Sequence, residues 1–117
     1  MFYTFNGRVE TVQGRQLNGD TWKCCMTDSR DFPFLSSPRA PECHLDTDEL
    51  FVVLEGNLHV GLSVSPGNGM QWQVLYPGDG IRVAKGVWHT TYVTEPSRYL
   101  IQELLDTDPS KTLHAQA

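Results

Sequence analysis

A chain of 117 residues has room for one hydrophobic core and excludes a two-domain machine. Apolar residues make up 39% and charged residues 20%, with ten glycines and seven prolines, a balance that fits a turn-rich globular protein and not a disordered one. The net charge of −5, with no basic cluster, argues against nucleic acid and anionic membranes as partners, and no apolar run reaches the roughly 18 residues of a membrane span.

In chain order, residues 1–16 hold VETVQ, able to form an edge strand, and LNGD at 17–20 is the first turn. Further turn signals follow at short intervals: SSPRAP at 36–41, LDTD at 45–48, EGN at 55–57, SPGNG at 65–69, PGDG at 77–80, AKG at 84–86 and TEPS at 94–97. Between them GDTWKCCM, ELFVVL, LHVGLSV, MQWQVLY, GIRVA, VWHTTYV and RYLIQEL are rich in β-branched and aromatic residues and have strand length. The pattern is all-β, and strands so spaced form a barrel or a two-sheet sandwich with alternate residues pointing inward. Residues 1–106 are expected to make this one domain, and the tail 107–117, His114 included, to be poorly ordered.

Three cysteines, Cys24, Cys25 and Cys43, lack zinc-finger spacing, and their odd number without a signal peptide predicts reduced thiols and a cytoplasmic protein. The Cys24 and Cys25 side chains should fall on opposite faces of a strand.

Chemistry-bearing residues gather in PECHLDTDELFVVLEG, residues 41–56. Glu42 and His44 are two apart and share a strand face; LDTD then reads as a hairpin loop that sets His44 opposite Glu49. Glu49, Phe51 and Val53 continue along one face, so Glu49 is the polar end of an apolar stripe and needs a partner, either a metal or a hydrogen-bonding neighbour such as His44. In PGDGIRVAKGVWH, residues 77–89, two turns bring the chain to His89, which shares its face with Thr91. Each such residue alone is more often structural than functional; several convergent donors are expensive to bury without a ligand.

Together these two stretches resemble the cupin superfamily. His44, Glu49 and Gly56 match the spacing of its first motif, and Gly78, Gly86 and His89 that of its second. Glu42 stands where the first motif has its first histidine, Ala84 replaces the motif proline, Val93 replaces the asparagine, and the opening glycine of the first motif is missing. The resemblance implies a single-domain cupin-type β-barrel (a double-stranded β-helix or jelly roll) with a divalent metal, Fe, Mn, Zn or Ni, held by Glu42, His44, Glu49 and His89. It also implies a homodimer, with the early edge strand pairing across a two-fold axis. Glu42 and Glu49 are the catalytic candidates; Glu42 is either the fourth ligand or a general base beside the ion.

The function so implied is a metal-dependent enzyme acting on a small organic molecule inside the barrel, by isomerase, cyclase or lyase-type acid–base chemistry or by dioxygenation. The alternatives are a non-catalytic module for a small molecule or sugar, and a degenerate barrel kept for dimerisation. Phe51, Trp88, Thr91 and Gln102 are candidates for substrate contact, each of which also reads as ordinary core or interface. On RYLIQEL the inward set is either Arg98, Leu100 and Gln102 or Tyr99, Ile101 and Glu103. Trp22, Trp72 and Tyr76 are expected to pack sheets or a dimer face, His59 to lie outside, and Cys43 to point away from the site.

Overall fold

A computed structural model describes residues 2–5, 22–66, 69–104 and 107–115. The strands are β1 (Phe2–Phe5), β2 (Trp22–Asp28), β3 (Glu42–His44), β4 (Glu49–Glu55), β5 (Leu58–Ser63), β6 (Gln71–Leu75), β7 (Gly80–Val83), β8 (Trp88–Tyr92), β9 (Arg98–Leu104) and β10 (Thr112–His114). The other described elements are short 3-10 turns, and no helix among the described residues is long and apolar enough to cross a membrane. The strands form two five-stranded antiparallel sheets, ordered β1-β2-β9-β4-β7 and β10-β3-β8-β5-β6.

Alternation along each strand supplies the core. On β4 the buried positions are Glu49, Phe51 and Val53; on β5, Leu58 and Val60 turn inward. Phe51, Val53, Leu58 and Val60 meet Leu35, Leu75, Val83, Val93 and Tyr99 in one cluster between the sheets. The β4–β5 turn depends on Gly56, at φ 75°, because a β-carbon there would run into Ser97 as well as strain the backbone. Gly86, at φ 80°, turns the chain before β8 and donates its N–H to the His44 carbonyl at 2.8 Å, tying the second motif to the first.

Two expectations change, and one open choice is decided. LDTD is not a hairpin loop: β3 pairs with β8 and β10, whereas β4 pairs with β7 and β9, so the loop carries the chain from one sheet to the other. The reason lies in its polar groups, which bind outside a hairpin. Asp48 accepts the Lys85 N–H at 2.9 Å and the Arg82 Nε–H at 2.8 Å, and Asp46 accepts the Asp108 N–H at 2.7 Å.

The tail is also structured within its described part. Asp108 caps a 3-10 turn at Pro109–Lys111, and β10 pairs with β3, setting Thr112 against His44 and His114 against Glu42. With three residues and only Leu113 apolar, this strand carries no alternation for a sequence reading to detect. The parity of β9 is settled by its pairing with β4: Tyr99 opposes Val53 and Ile101 opposes Phe51, so Tyr99, Ile101 and Glu103 form the inward set. VETVQ lies outside the described residues.

Candidate metal centre

Three strands from two sheets build the site. β3 carries Glu42 and His44 on one face, and β8, directly paired with it, sets His89 against Glu42. From the opposing sheet the first inward residue of β4, Glu49, reaches across the interior. One oxygen or nitrogen from each of these four residues lies within 4.8 Å of all the others.

Glu49 Oε2 stands 2.5 Å from His44 Nε2 and 3.4 Å from His89 Nε2; Glu42 Oε1 is 3.5 Å and 3.8 Å from the same two nitrogens. The two imidazole rings are 5.2 Å apart between centroids.

The outer nitrogens fix the rings. His89 Nδ1–H donates to the Val87 carbonyl at 3.2 Å, and because a carbonyl only accepts, the neutral ring carries its proton there and leaves the Nε2 lone pair facing the centre. His44 Nδ1 shares a hydrogen bond of 2.9 Å with the Thr112 hydroxyl on β10. Facing inward, Nε2 of both histidines and Oε2 of Glu49 are buried without a partner in hydrogen-bond geometry. Polar atoms buried this close together are costly to leave without a common partner, and in the metal-free protein that partner is the proton that His44 shares with the carboxylates. Two imidazoles and two carboxylates suit a divalent ion such as Zn, Mn, Fe or Ni.

The electrostatics without an ion follow from the same contacts. Glu42 first, then Glu49, push His44 up to about 10 against the opposing effect of burial. Burial works to raise Glu49, but the His44 and His89 imidazoles outweigh it and hold the carboxyl at about 2. Glu42 is kept below the usual carboxylate range mainly by His44. A metal must therefore displace a tightly held proton from His44.

Beside these donors opens a cavity of about 380 Å³, whose lining includes Glu42, Glu49 and His89. Phe51 and Thr91 also line it. Trp88 and Gln102 do not. Trp88 alternates with His89 and pairs with Ser63 on the outer side of its sheet, and Gln102 has the parity opposite to Tyr99 and Ile101, with its Nε2 3.8 Å from Cys24 Sγ. The outward face of β8 instead joins an aromatic group, in which Tyr92 stacks on His59 at 4.4 Å and meets Trp72 edge-on at 5.3 Å. Cys43 is buried on the face of β3 opposite to Glu42 and His44.

The sequence reading missed Leu35, Arg39, Ala40 and His114, which also line the cavity, and Thr112 behind His44. Arg39 stands in a segment whose only signals are turn residues. His114 Nδ1 lies 3.7 Å from Glu42 Oε2, brought there by the short β10 strand.

The Cupin family profile matches residues 2–116, nearly the whole chain, and the chain belongs to that family. Similar solved structures include a cupin-2 domain containing protein from Shewanella frigidimarina, 24% identical with a TM-score of 0.53, covering 86% of this chain and 84% of that one. KdgF from a Halomonas species is 22% identical with a TM-score of 0.53, covering 73% of this chain and 69% of its own. The 3,4-ketoisomerase QdtA from Thermoanaerobacterium thermosaccharolyticum is 16% identical with a TM-score of 0.62, covering 77% of this chain. This chain spans 63% of that ketoisomerase and 64% of the Bacillus halodurans protein BH2720. At these identities the likeness is one of fold. No curated protein sequence gives a match.

Proposed function

We propose that this cupin is a metal-dependent enzyme that performs acid–base chemistry on a small carbonyl compound in the cavity beside Glu42, Glu49 and His89. The observation that carries the reading is the crowding of buried donor atoms of His44, Glu49 and His89 around one point, with Glu49 and His89 also lining that cavity. When bound, a divalent ion supplies Lewis acidity toward a carbonyl or enolate oxygen.

The chain's own residues divide the remaining work. His44, Glu49 and His89 hold the ion, with Val87 and Thr112 fixing the two rings from behind. Glu49, with 7% of its side chain exposed and an imidazole on either side, serves as a ligand although it too borders the cavity. Glu42 keeps 39% of its side chain exposed and lines the cavity, so it is the carboxylate able to accept a proton from a bound molecule and return it. Its depressed pKa means that it is in the ionised, accepting form at neutral pH. Phe51, edge-on to His89 at 6.2 Å, walls the reacting region with apolar surface.

The test is proton exchange. The zinc-loaded protein is incubated in D2O with a panel of oxo acids and keto sugars, stripped of metal, and the compounds are read by proton NMR. Deuterium should enter a position next to the carbonyl of at least one compound, only with metal present, and Glu42→Gln should abolish exchange while still binding zinc. No metal-dependent exchange across Zn, Mn, Fe and Ni forms would overturn the enzyme reading. A Glu42→Gln protein that loses zinc as completely as His89→Ala would make Glu42 a ligand instead of a base.

A further inference from the structure

Half of the metal centre sits on a strand with little of its own to hold it. β3 is three residues long and carries both Glu42 and His44. On its β8 side it is fastened by the single pair of Glu42 with His89, and by the Gly86 N–H that donates to the His44 carbonyl at 2.8 Å. Its other side is covered along the whole strand by β10, which sets Thr112 against His44, Leu113 against Cys43 and His114 against Glu42. Glu49 and His89 stand on strands anchored by longer ladders, β4 with β7 and β9, and β8 with β5.

Residues 108–115 form a strap over this weak point. The Asp108 carboxylate caps the turn that begins it, accepting the Ser110 N–H at 2.9 Å. Three bonds flank the pairing of β10 with β3: Asp108 N–H to the Asp46 carboxylate at 2.7 Å, Leu45 N–H to the Lys111 carbonyl at 3.0 Å, and Ala115 N–H to the Pro41 carbonyl at 2.9 Å. No residue of the turn or of β10 is buried, and Leu113, which alternation turns away from Glu42 and His44, stays 41% exposed. A segment tied down by backbone hydrogen bonds with so little buried apolar surface opens locally while the core stays folded.

The inner face of the strap meets the site twice. The Thr112 hydroxyl shares its 2.9 Å hydrogen bond with His44 Nδ1. His114 lines the cavity with 70% of its side chain exposed, at the mouth beside Glu42. Lifting the strap frees the His44 ring from behind and leaves β3 on its one pair with β8, whereas the strands of Glu49 and His89 keep their ladders.

We infer that residues 108–115 are a positioning strap for the site: docked on β3, they hold Glu42 and His44 against Glu49 and His89, and one ion shared by both halves favours the docked strap. The inference rests on the proposed metal centre and adds a coupling to it. Two events that stabilise one arrangement strengthen each other by the same factor.

The coupling is read from both directions in the full chain. Hydrogen–deuterium exchange with mass spectrometry compares the C-terminal peptide with peptides from β4 and β5, in EDTA and in saturating zinc. In EDTA the strap amides should exchange faster than those of β4 and β5, and zinc should slow them about tenfold or more, the scale on which outer partners of a metal ligand act. Leu113→Pro removes a backbone N–H at the centre of the β10 pairing and changes no side chain that faces the site. It should weaken zinc binding by a similar factor while the urea midpoint in EDTA stays at the wild-type value.

Strap amides that exchange equally fast with and without bound zinc overturn the inference, and this arm needs only the wild-type protein. Wild-type zinc affinity in Leu113→Pro overturns it as well, and so does a urea midpoint that falls together with the affinity, which would place the strap in the fold. Each of these results can occur with zinc bound to the wild-type protein at full stoichiometry, which leaves the metal-dependent reading standing. Failure of the wild-type protein to bind zinc, manganese, iron or nickel would remove both.

Discussion

The interior of this sandwich has two ends that are equally buried and chemically opposite. At one end Val53, Leu58 and Val60 are fully covered by apolar neighbours; at the other Glu49 and His89 are 5% and 3% exposed and present unpartnered polar atoms. The same strand supplies both, since β4 runs from Glu49 through Phe51 to Val53 on a single face. Burying apolar surface stabilises the fold, whereas each orphaned polar group costs about 1 to 3 kcal/mol. One end therefore carries most of the fold, and the other, in the metal-free protein, rests on the pairing of His44 with Glu42 and Glu49.

This separation can be broken in four ways. Leu58→Ala, in the dry end, should lower unfolding free energy by about 2 to 5 kcal/mol in urea titrations while the folded protein keeps its zinc affinity. A variant that folds but has lost its affinity would show that the ends are coupled. Glu49→Gln should weaken zinc binding by about 100-fold or more, beyond the range seen when only an outer hydrogen bond is lost, and should cost less stability in the metal-free protein than Leu58→Ala. Competition against a zinc chelator measures the first, and urea unfolding in EDTA the second.

Thr112→Val removes the hydroxyl behind His44 Nδ1 without touching a donor, and should weaken zinc binding by about tenfold. An unchanged affinity would mean that β10 has no part in orienting the ring. The gentlest perturbation is pH. His44, raised to about 10 by Glu42 and Glu49, contributes its stability in full below its ordinary value of 6.5 and loses it as pH rises through about 10. Glu49, held at about 2, contributes above its ordinary 4.5 and loses that as pH falls through about 2. Metal-free stability from this pair is thus greatest between 4.5 and 6.5 and declines on the alkaline side. Zinc competes with the His44 proton, so its stabilising effect should grow with pH over that alkaline range. Thermal melts with zinc and with EDTA should diverge as pH rises; a constant gap would contradict the proton competition.

Much of the fold and the core of the site can be read from residue spacing. Turn residues mark off seven of the strands, and alternation places Phe51 beside Glu49. His44, Glu49 and His89 stand out because polar residues enter otherwise apolar stripes. What fails to show is long-range pairing. LDTD has hairpin composition, yet Asp46 and Asp48 bind the Asp108, Arg82 and Lys85 region, and the chain changes sheets there.

His44 and Glu49 still meet, but across the interior and not along a hairpin. The inward set of RYLIQEL stays open in the sequence because both halves are apolar enough to face inward, and only the pairing of Phe51 with Ile101 decides. A large aromatic next to His89 is pocket-like in composition, but alternation along β8 turns Trp88 to the other face of the strand. Arg39 and His114 come from segments without periodicity, so no local pattern could place them at the cavity.

The most direct test is anomalous diffraction from crystals of the zinc- or manganese-loaded wild-type protein. An anomalous peak should stand within about 2.0 to 2.3 Å of His44 Nε2, His89 Nε2 and Glu49 Oε2, at one ion per chain. A fully loaded crystal with no peak there, and with those three atoms still crowded against one another, would contradict the metal centre.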